Sequence, residues 1–188
     1  MIALSDIDQK RFGFRVARAE CLEAASVAEA LAFCRREGVR LLIARTPCDA
    51  LGAAHSLERA GAALMDSLVH YAWNDDLGPL PDDSCSEAGV ADRVRVADDG
   101  GVAGFATLRQ RPAEVEGVLF AVAERARGVG VYRAFLVQTL RFARSVSARR
   151  VLVSTQISNL PVQRAWVRLG FLPVEALYTF HLWLEDVA

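Results

Sequence analysis

The chain has 188 residues, enough for one sizeable core or two small lobes and too few for several independent domains. A content of 53% hydrophobic and 24% charged residues excludes a disordered chain, and a formal net charge of −1 speaks against a general nucleic-acid binder. No apolar run approaches the roughly 20 residues of a membrane span, and Met1-Ile-Ala-Leu-Ser-Asp lacks the basic start and apolar stretch of a signal peptide, so a cytoplasmic protein without membrane or nucleic-acid partners is expected.

Arg11 to Arg18 alternates Phe12, Phe14 and Val16 with smaller or polar residues, which predicts a first strand. Ser26 then stands where it can cap a helix from Val27 to about Glu37, with Gly38 as its stop. A short buried strand over Leu41–Ala44, a helix from Ala50 to Ala60 and a strand from Ala63 to Tyr71 complete an N-terminal α/β lobe, residues 1–75. Residues 76–93 carry acids, glycine and prolines with little apolar period and read as an acidic linker. From residue 94 to 188 the pattern is a hairpin turning at Asp98–Gly101 and a strand from Val115 to Val122. A Gly-rich loop, a helix from Val129 to Val146, a strand Val151–Ile157, a helix Leu160–Leu169 and a final strand Val174–Leu184 follow. Strand, loop, helix, strand is a βαβ unit whose helix crosses over a parallel pair.

Leu41-Leu-Ile followed by a helix ending at Gly61 faintly parallels Val151-Leu-Val followed by a helix ending at Gly170, so a degenerate internal repeat stays open beside chance. The first lobe lacks the Gly-rich loop and is expected to shape the substrate side.

Charge is unevenly spread. Residues 124–150 hold seven arginines and one acid, Glu124, so an anion is expected to land there. Lys10 is the only lysine, a bias that fits the coding of a GC-rich bacterium. The four cysteines form no CxxC pair and have no histidine at metal-ligand spacing, so no metal is expected.

The loop Arg125-Ala126-Arg127-Gly128-Val129-Gly130 runs from a strand into a helix. Backbone N–H groups at a helix N-terminus attract anions, and glycines let phosphate oxygens approach closely. Arg125 and Arg127 can add charge-assisted hydrogen bonds. A P-loop would need Gly-Lys-Ser/Thr where Gly130-Val131-Tyr132 stands, and a dinucleotide fingerprint would need glycine near Arg133.

The stretch Val118 to Gly130 resembles motif A of the GCN5-related N-acetyltransferases (GNAT), and Asn159, a helix with Trp166 and then Gly170-Phe171 resemble the family's N…Y…G-F signature. That resemblance implies an α/β GNAT fold: a mixed, mostly antiparallel sheet with a central parallel βαβ unit, flanked by helices and here preceded by the small N-terminal lobe. It further implies acetyl-coenzyme A as co-substrate, held by the Phe120-Ala121-Val122 backbone, by Arg125, Arg127, Gly128, Val129, Gly130 and Val131, and by Asn159 and Trp166. Polarising the thioester carbonyl stabilises the oxyanion as a neutral amine attacks directly. Asn159 reads equally well as an ordinary helix N-cap.

Where the family places a tyrosine that protonates the departing thiolate, this chain has Trp166, whose indole cannot act as that acid. Glu116 and His181 are the candidate bases, each also readable as a structural residue. Val153 to Asn159 and Tyr178 to Trp183 resemble the TDP-fucosamine acetyltransferase branch, which implies a nucleotide-linked amino sugar as acceptor and Gln156, Tyr178 and Thr179 as substrate contacts. The expected activity is acetyl transfer to a primary amine of a small molecule. Peptide or protein N-acetylation and a catalytically degenerate acyl-CoA sensor are the alternatives, and a homodimer stays open.

Overall fold

The computed structural model describes residues 2–74, 93–98 and 101–184, of which 93–98 by their backbone alone. The expected acidic linker therefore lies outside the described residues except for Arg93, as does Gly100 of the hairpin turn. In chain order the elements are β1 (Ile2–Leu4), α1 (Asp6–Phe12), β2 (Val16–Ala19), α2 (Val27–Arg36), β3 (Leu41–Pro47), α3 (Leu51–Arg59) and β4 (Ala63–Asn74). Then come β5 (Arg93–Asp98), β6 (Gly101–Arg111), β7 (Glu114–Val122), α4 (Val131–Ser145), β8 (Arg150–Gln156), α5 (Leu160–Arg168) and β9 (Leu172–Trp183).

These elements form two compact units. One takes the chain up to Val69 together with the residues from Glu175 on; the other takes His70 to Val174. Each thus incorporates the end of a strand that begins in the other: β9 joins the first unit at Glu175 and β4 enters the second at His70.

In the first unit β1 is antiparallel to β2, β2 parallel to β3, and β3 antiparallel to β9 from Pro47↔Leu177 to Leu41↔Trp183. Strand alternation sends Ala17, Ala19, Leu42, Ala44, Phe180 and Leu182 to one face, where they meet Ala30 and Cys34 of α2 and Leu57 of α3. The opposite face carries Val16, Leu41 and Ile43 with Phe14 against them.

In the second unit β5, β6 and β7 form an antiparallel meander, and α4 connects β7 to its parallel neighbour β8. Phe135, Leu136, Leu140 and Ala143 recur at helical spacing and are fully buried. Phe135 packs on Ala106 of β6, with Phe120, Val122 and Val131 around it. Gly104 is required there, since a Cβ would stand 2.6 Å from the Ala121 carbonyl and 2.9 Å from the Phe135 ring.

Three sequence expectations need correction. The strand expected from Arg11 begins only at Val16, because Ser5 caps α1 by accepting from the Asp8 N–H and left-handed Gly13 closes it. Those two local signals outweigh the alternation of Phe12 and Phe14. Ser26 makes no cap bond and instead ends a 3₁₀ turn, Ala24–Ser26, that leads into α2. The helix expected from Val129 begins at Val131, because Gly130 adopts the left-handed conformation as its N-cap.

Candidate functional site

The second unit opens where β7 leaves β8. Their parallel pairing runs from Glu114↔Arg150 to Gly117↔Val153 and stops, although β7 continues to Val122 and β8 to Gln156. At the same point the pairing with β6 shifts: Leu108 faces Gly117 and Thr107 faces Leu119, so Val118 is an inserted residue. A bulge bends its strand and increases the local twist, and this one carries β7 away from β8. Gly117 is needed at the vertex, where a Cβ would lie 2.6 Å from the Phe120 ring and 3.1 Å from Val153.

Beyond the splay the loop is built as the sequence leads one to expect. Glu124–Ala126 form a 3₁₀ turn, Arg127 is extended, and Gly128 and Gly130 take φ of +80° and +92°. A Cβ at Gly128 would meet nothing within 4 Å, so glycine is there for its backbone conformation and for the open approach to it. No side chain caps the first turn of α4, whose N–H groups and dipole face the loop. Arg125 donates to the Val102 carbonyl at 3.2 Å and Arg127 to the Val122 carbonyl at 3.4 Å, which pins both guanidinium groups at the ends of β6 and β7.

Trp166 of α5 is 1% exposed, and its indole Nε1–H donates to Tyr132 Oη at 2.8 Å. Tyr71 lies against its other side, 5.2 Å between ring centroids, and donates to Gln163, which in turn donates to the Ile157 carbonyl. Phe120, on the splayed part of β7, meets Tyr132 edge to face at 5.7 Å. Burial pushes the Tyr132 phenol up to about 12, with the Trp166 bond opposing it, so Tyr132 keeps its proton throughout the neutral range. Since Oη accepts from Trp166, the phenolic hydrogen is the group it has left to offer. Sequence reasoning passed over Tyr132; its place in the first turn of α4, two residues after Gly130, was the available signal.

Asn159 occupies the N-cap position of α5 but makes no cap bond; its amide donates to Thr155 Oγ1 at 3.0 Å. Gln156 is exposed at the end of β8, and its carbonyl accepts from the Asn159 N–H. Glu116 sits one residue before the vertex, with Arg109 and Arg111 donating to its Oε2 at 2.9 and 3.0 Å. A cavity of about 240 Å³ adjoins it, lined by His70, Arg111, Glu116, Leu152, Val153 and Ser154.

The remaining candidates belong to the first unit. Tyr178 and Thr179 are consecutive on β9 and so face opposite ways: Tyr178 packs beside the helix-side core, edge to face with Phe180, while Thr179 is buried with its hydroxyl unpaired. His181 is part-buried, and burial first, then the charge of Arg18, lowers its pKa, with Asp8 opposing. Among the described residues no cluster of His, Cys, Asp and Glu has the makings of a metal site, and no helix is long and apolar enough to cross a membrane.

Fold and loop together define an α/β protein with a parallel crossover whose strands part at a bulge in front of a Gly-rich helix start. The sequence matches the Acetyltransferase (GNAT) family over residues 65–171, more than half of the chain, and the chain belongs to that family. It is accordingly an acyltransferase. Solved structures agree in fold. A GCN5-related N-acetyltransferase from Sphaerobacter thermophilus is 11% identical, with 97% of this chain and 76% of that one covered at a TM-score of 0.73. One from Kribbella flavida is 16% identical, covering 89% and 80% at 0.65. A tandem GNAT protein from the clavulanic acid biosynthesis pathway is 15% identical, covering 85% and 69% at 0.60. A comparison with curated proteins finds no match.

Proposed function

We propose that the protein transfers the acetyl group of acetyl-CoA to a primary amine of a small molecule by direct attack. The observation that carries this reading is the coincidence, within one unit, of the Val118 bulge, the end of the β7–β8 ladder and the uncapped α4 start behind two left-handed glycines. These residues fit the co-substrate: the loop from Arg125 to Val131 suits a pyrophosphate, and the splayed edge Phe120–Val122 offers backbone donors and acceptors to an amide-bearing arm. When bound, acetyl-CoA supplies an activated thioester. Asn159 and Gln156, at the end of β8, flank the same opening.

Tyr132 takes the proton-holding role. It keeps a hydrogen at Oη, Trp166 fixes the ring by donating to that oxygen, and the family's usual tyrosine is thereby replaced by a tryptophan–tyrosine pair rather than lost. This favours catalysis over a degenerate sensor. Glu116 is the base candidate beside the cavity, since both arginines bind Oε2 and Oε1 takes no hydrogen bond among the described residues. His181 is the second base candidate, its pKa lowered chiefly by burial.

The catalytic domain is assigned to the second unit. The first has its own β2-α2-β3 crossover and is the degenerate counterpart of the second. Incubating purified protein with acetyl-CoA and a panel of amino sugars, nucleotide-linked amino sugars, amino acids, polyamines and peptides, while following free thiol, tests the assignment. Thiol release with small amines supports it. Release with peptides alone would move the acceptor to proteins, and tight binding without release would mean a sensor.

A further inference from the structure

We infer that the cavity beside Glu116 is an acceptor subsite selecting amines that carry an anionic group, a carboxylate or phosphate, a few bonds from the nitrogen. The inference rests on the transferase reading above and names the substrate class of that site.

Position comes first. The cavity lies at the vertex of the splay, because Val153 is the last β8 residue paired with β7, Ser154 is the first beyond it, and Glu116 precedes Gly117 on β7. An amine held there stands beside the opening proposed to receive the thioester.

Charge comes second. Among the described residues Glu116 is the only carboxylate lining the cavity, and it is held by two guanidinium groups, so the cluster of Arg109, Arg111 and Glu116 is positive by one charge. A purely cationic acceptor would meet a carboxylate already matched by two guanidinium groups, with Arg111 beside it at the wall. An amine bearing an anion matches the pattern: the ammonium pairs with Glu116 Oε1, and the anion faces the Arg111 fork, which suits carboxylate and phosphate geometry. Ser154 supplies a hydroxyl at the wall.

Size comes third. About 240 Å³ falls below the range of about 300–1,000 Å³ typical of sites that enclose drug-sized ligands. An amino acid or an amino-sugar phosphate fits. A nucleotide-linked amino sugar would place its sugar and nearer phosphate inside and leave the nucleotide outside.

Matched pairs differing only in the anion test this: phenylalanine against phenethylamine for a carboxylate, glucosamine 6-phosphate against glucosamine for a phosphate. The anionic member of at least one pair should show a kcat/KM about tenfold or more above its neutral partner, and the pair that responds identifies the anion. In Arg111→Gln the ratio should collapse toward one through a higher KM, with Arg111→Lys intermediate because charge without the fork is retained. Titration calorimetry of phenylalanine and glucosamine 6-phosphate provides a readout independent of turnover, with at least one expected to bind the parent and to weaken about tenfold in Arg111→Gln. Neutral amines reacting as well as their anionic partners, an unchanged ratio in Arg111→Gln, or no calorimetric binding of either anionic amine overturns the inference. Thiol release with neutral amines alone would leave the transferase reading standing and sink this one; binding of an anionic amine without thiol release would do the reverse.

Discussion

The two units contain the same parallel crossover built to opposite ends. In the second, β7 departs from β8 after Gly117↔Val153 and its helix starts behind Gly128 and Gly130. In the first, β2 and β3 stay paired to Ala19↔Ala44, and the chain then turns back: the Leu22 N–H bonds to the Arg45 carbonyl at 2.8 Å and Thr46 Oγ1 donates to the Leu22 carbonyl at 2.9 Å. Leu22 is itself buried in the helix-side core. One crossover is held open with glycine and a bulge, and the other is sewn shut with a leucine and a threonine. The first unit's helix start therefore faces no gap between its strands.

That contrast can be broken from either side. The largest effect is expected for Leu22→Ala, which empties a well-packed position and should lower stability by about 3 kcal/mol, within the range of about 2–5 for buried leucine truncations. Acetyl-CoA affinity of the folded fraction should stay the same. Denaturant melts checked against calorimetric titration decide; weakened binding beyond the loss of folded protein would mean that the closed crossover takes part in the site.

Next comes Gly128→Val. A β-branched residue at φ +80° is strained by roughly 1–2 kcal/mol and obstructs the approach to the loop, so coenzyme A affinity should fall about 100-fold, equivalent to about 2.7 kcal/mol. The same titration reads it, and parental affinity would remove the loop from the binding site.

Tyr132→Phe should act on turnover. Proton donors typically contribute about 10²–10⁴-fold; a thiol with a pKa near 8.5 leaves readily, so a loss in kcat of about 10- to 100-fold is expected with little change in acetyl-CoA affinity. Stability should also drop by about 1–3 kcal/mol, since the buried Trp166 N–H loses its acceptor. A thioester of a more acidic thiol should recover most of the lost rate; equal losses with both donors would assign Tyr132 a packing role only.

Much of this was legible in the sequence because it rests on local signals. Gly128 and Gly130 announce a backbone demand, and the periods of β7, α4 and β8 announce the crossover. The splay was not, because a bulge at Val118 leaves the alternation of a single strand almost unmarked and shows only against β6. Tyr132 stayed hidden for a similar reason: its partner Trp166 is on another helix, and nothing local to Tyr132 marks the pair. The α1 caps, Ser5 and Gly13, were in plain view but were outweighed in reading by an alternation that three residues can produce by chance.

The smallest effects lie in acid and belong to the first unit alone. Asp8 is held down to about 2, chiefly by its bond from Arg18, so the stability it contributes is present above its unfolded value near 3.8 and is lost as pH falls toward 2. A shift of that size corresponds to about 2 kcal/mol at most, and solvent screening of Arg18, whose side chain is 39% exposed, reduces it to about 1. His181 acts earlier. Its folded pKa is lowered, so its contribution is full above about pH 6.5 and declines as pH falls below that, because the unfolded chain takes up the proton more readily. Denaturant midpoints from pH 7 to 3 should therefore show a shallow decline beginning near pH 6.5 that His181→Asn removes, and a second below pH 4 that Asp8→Asn removes. Loss of the first step in the Asp8 variant as well would mean that the two groups titrate as one, and that the face they share with Arg18 responds as a unit.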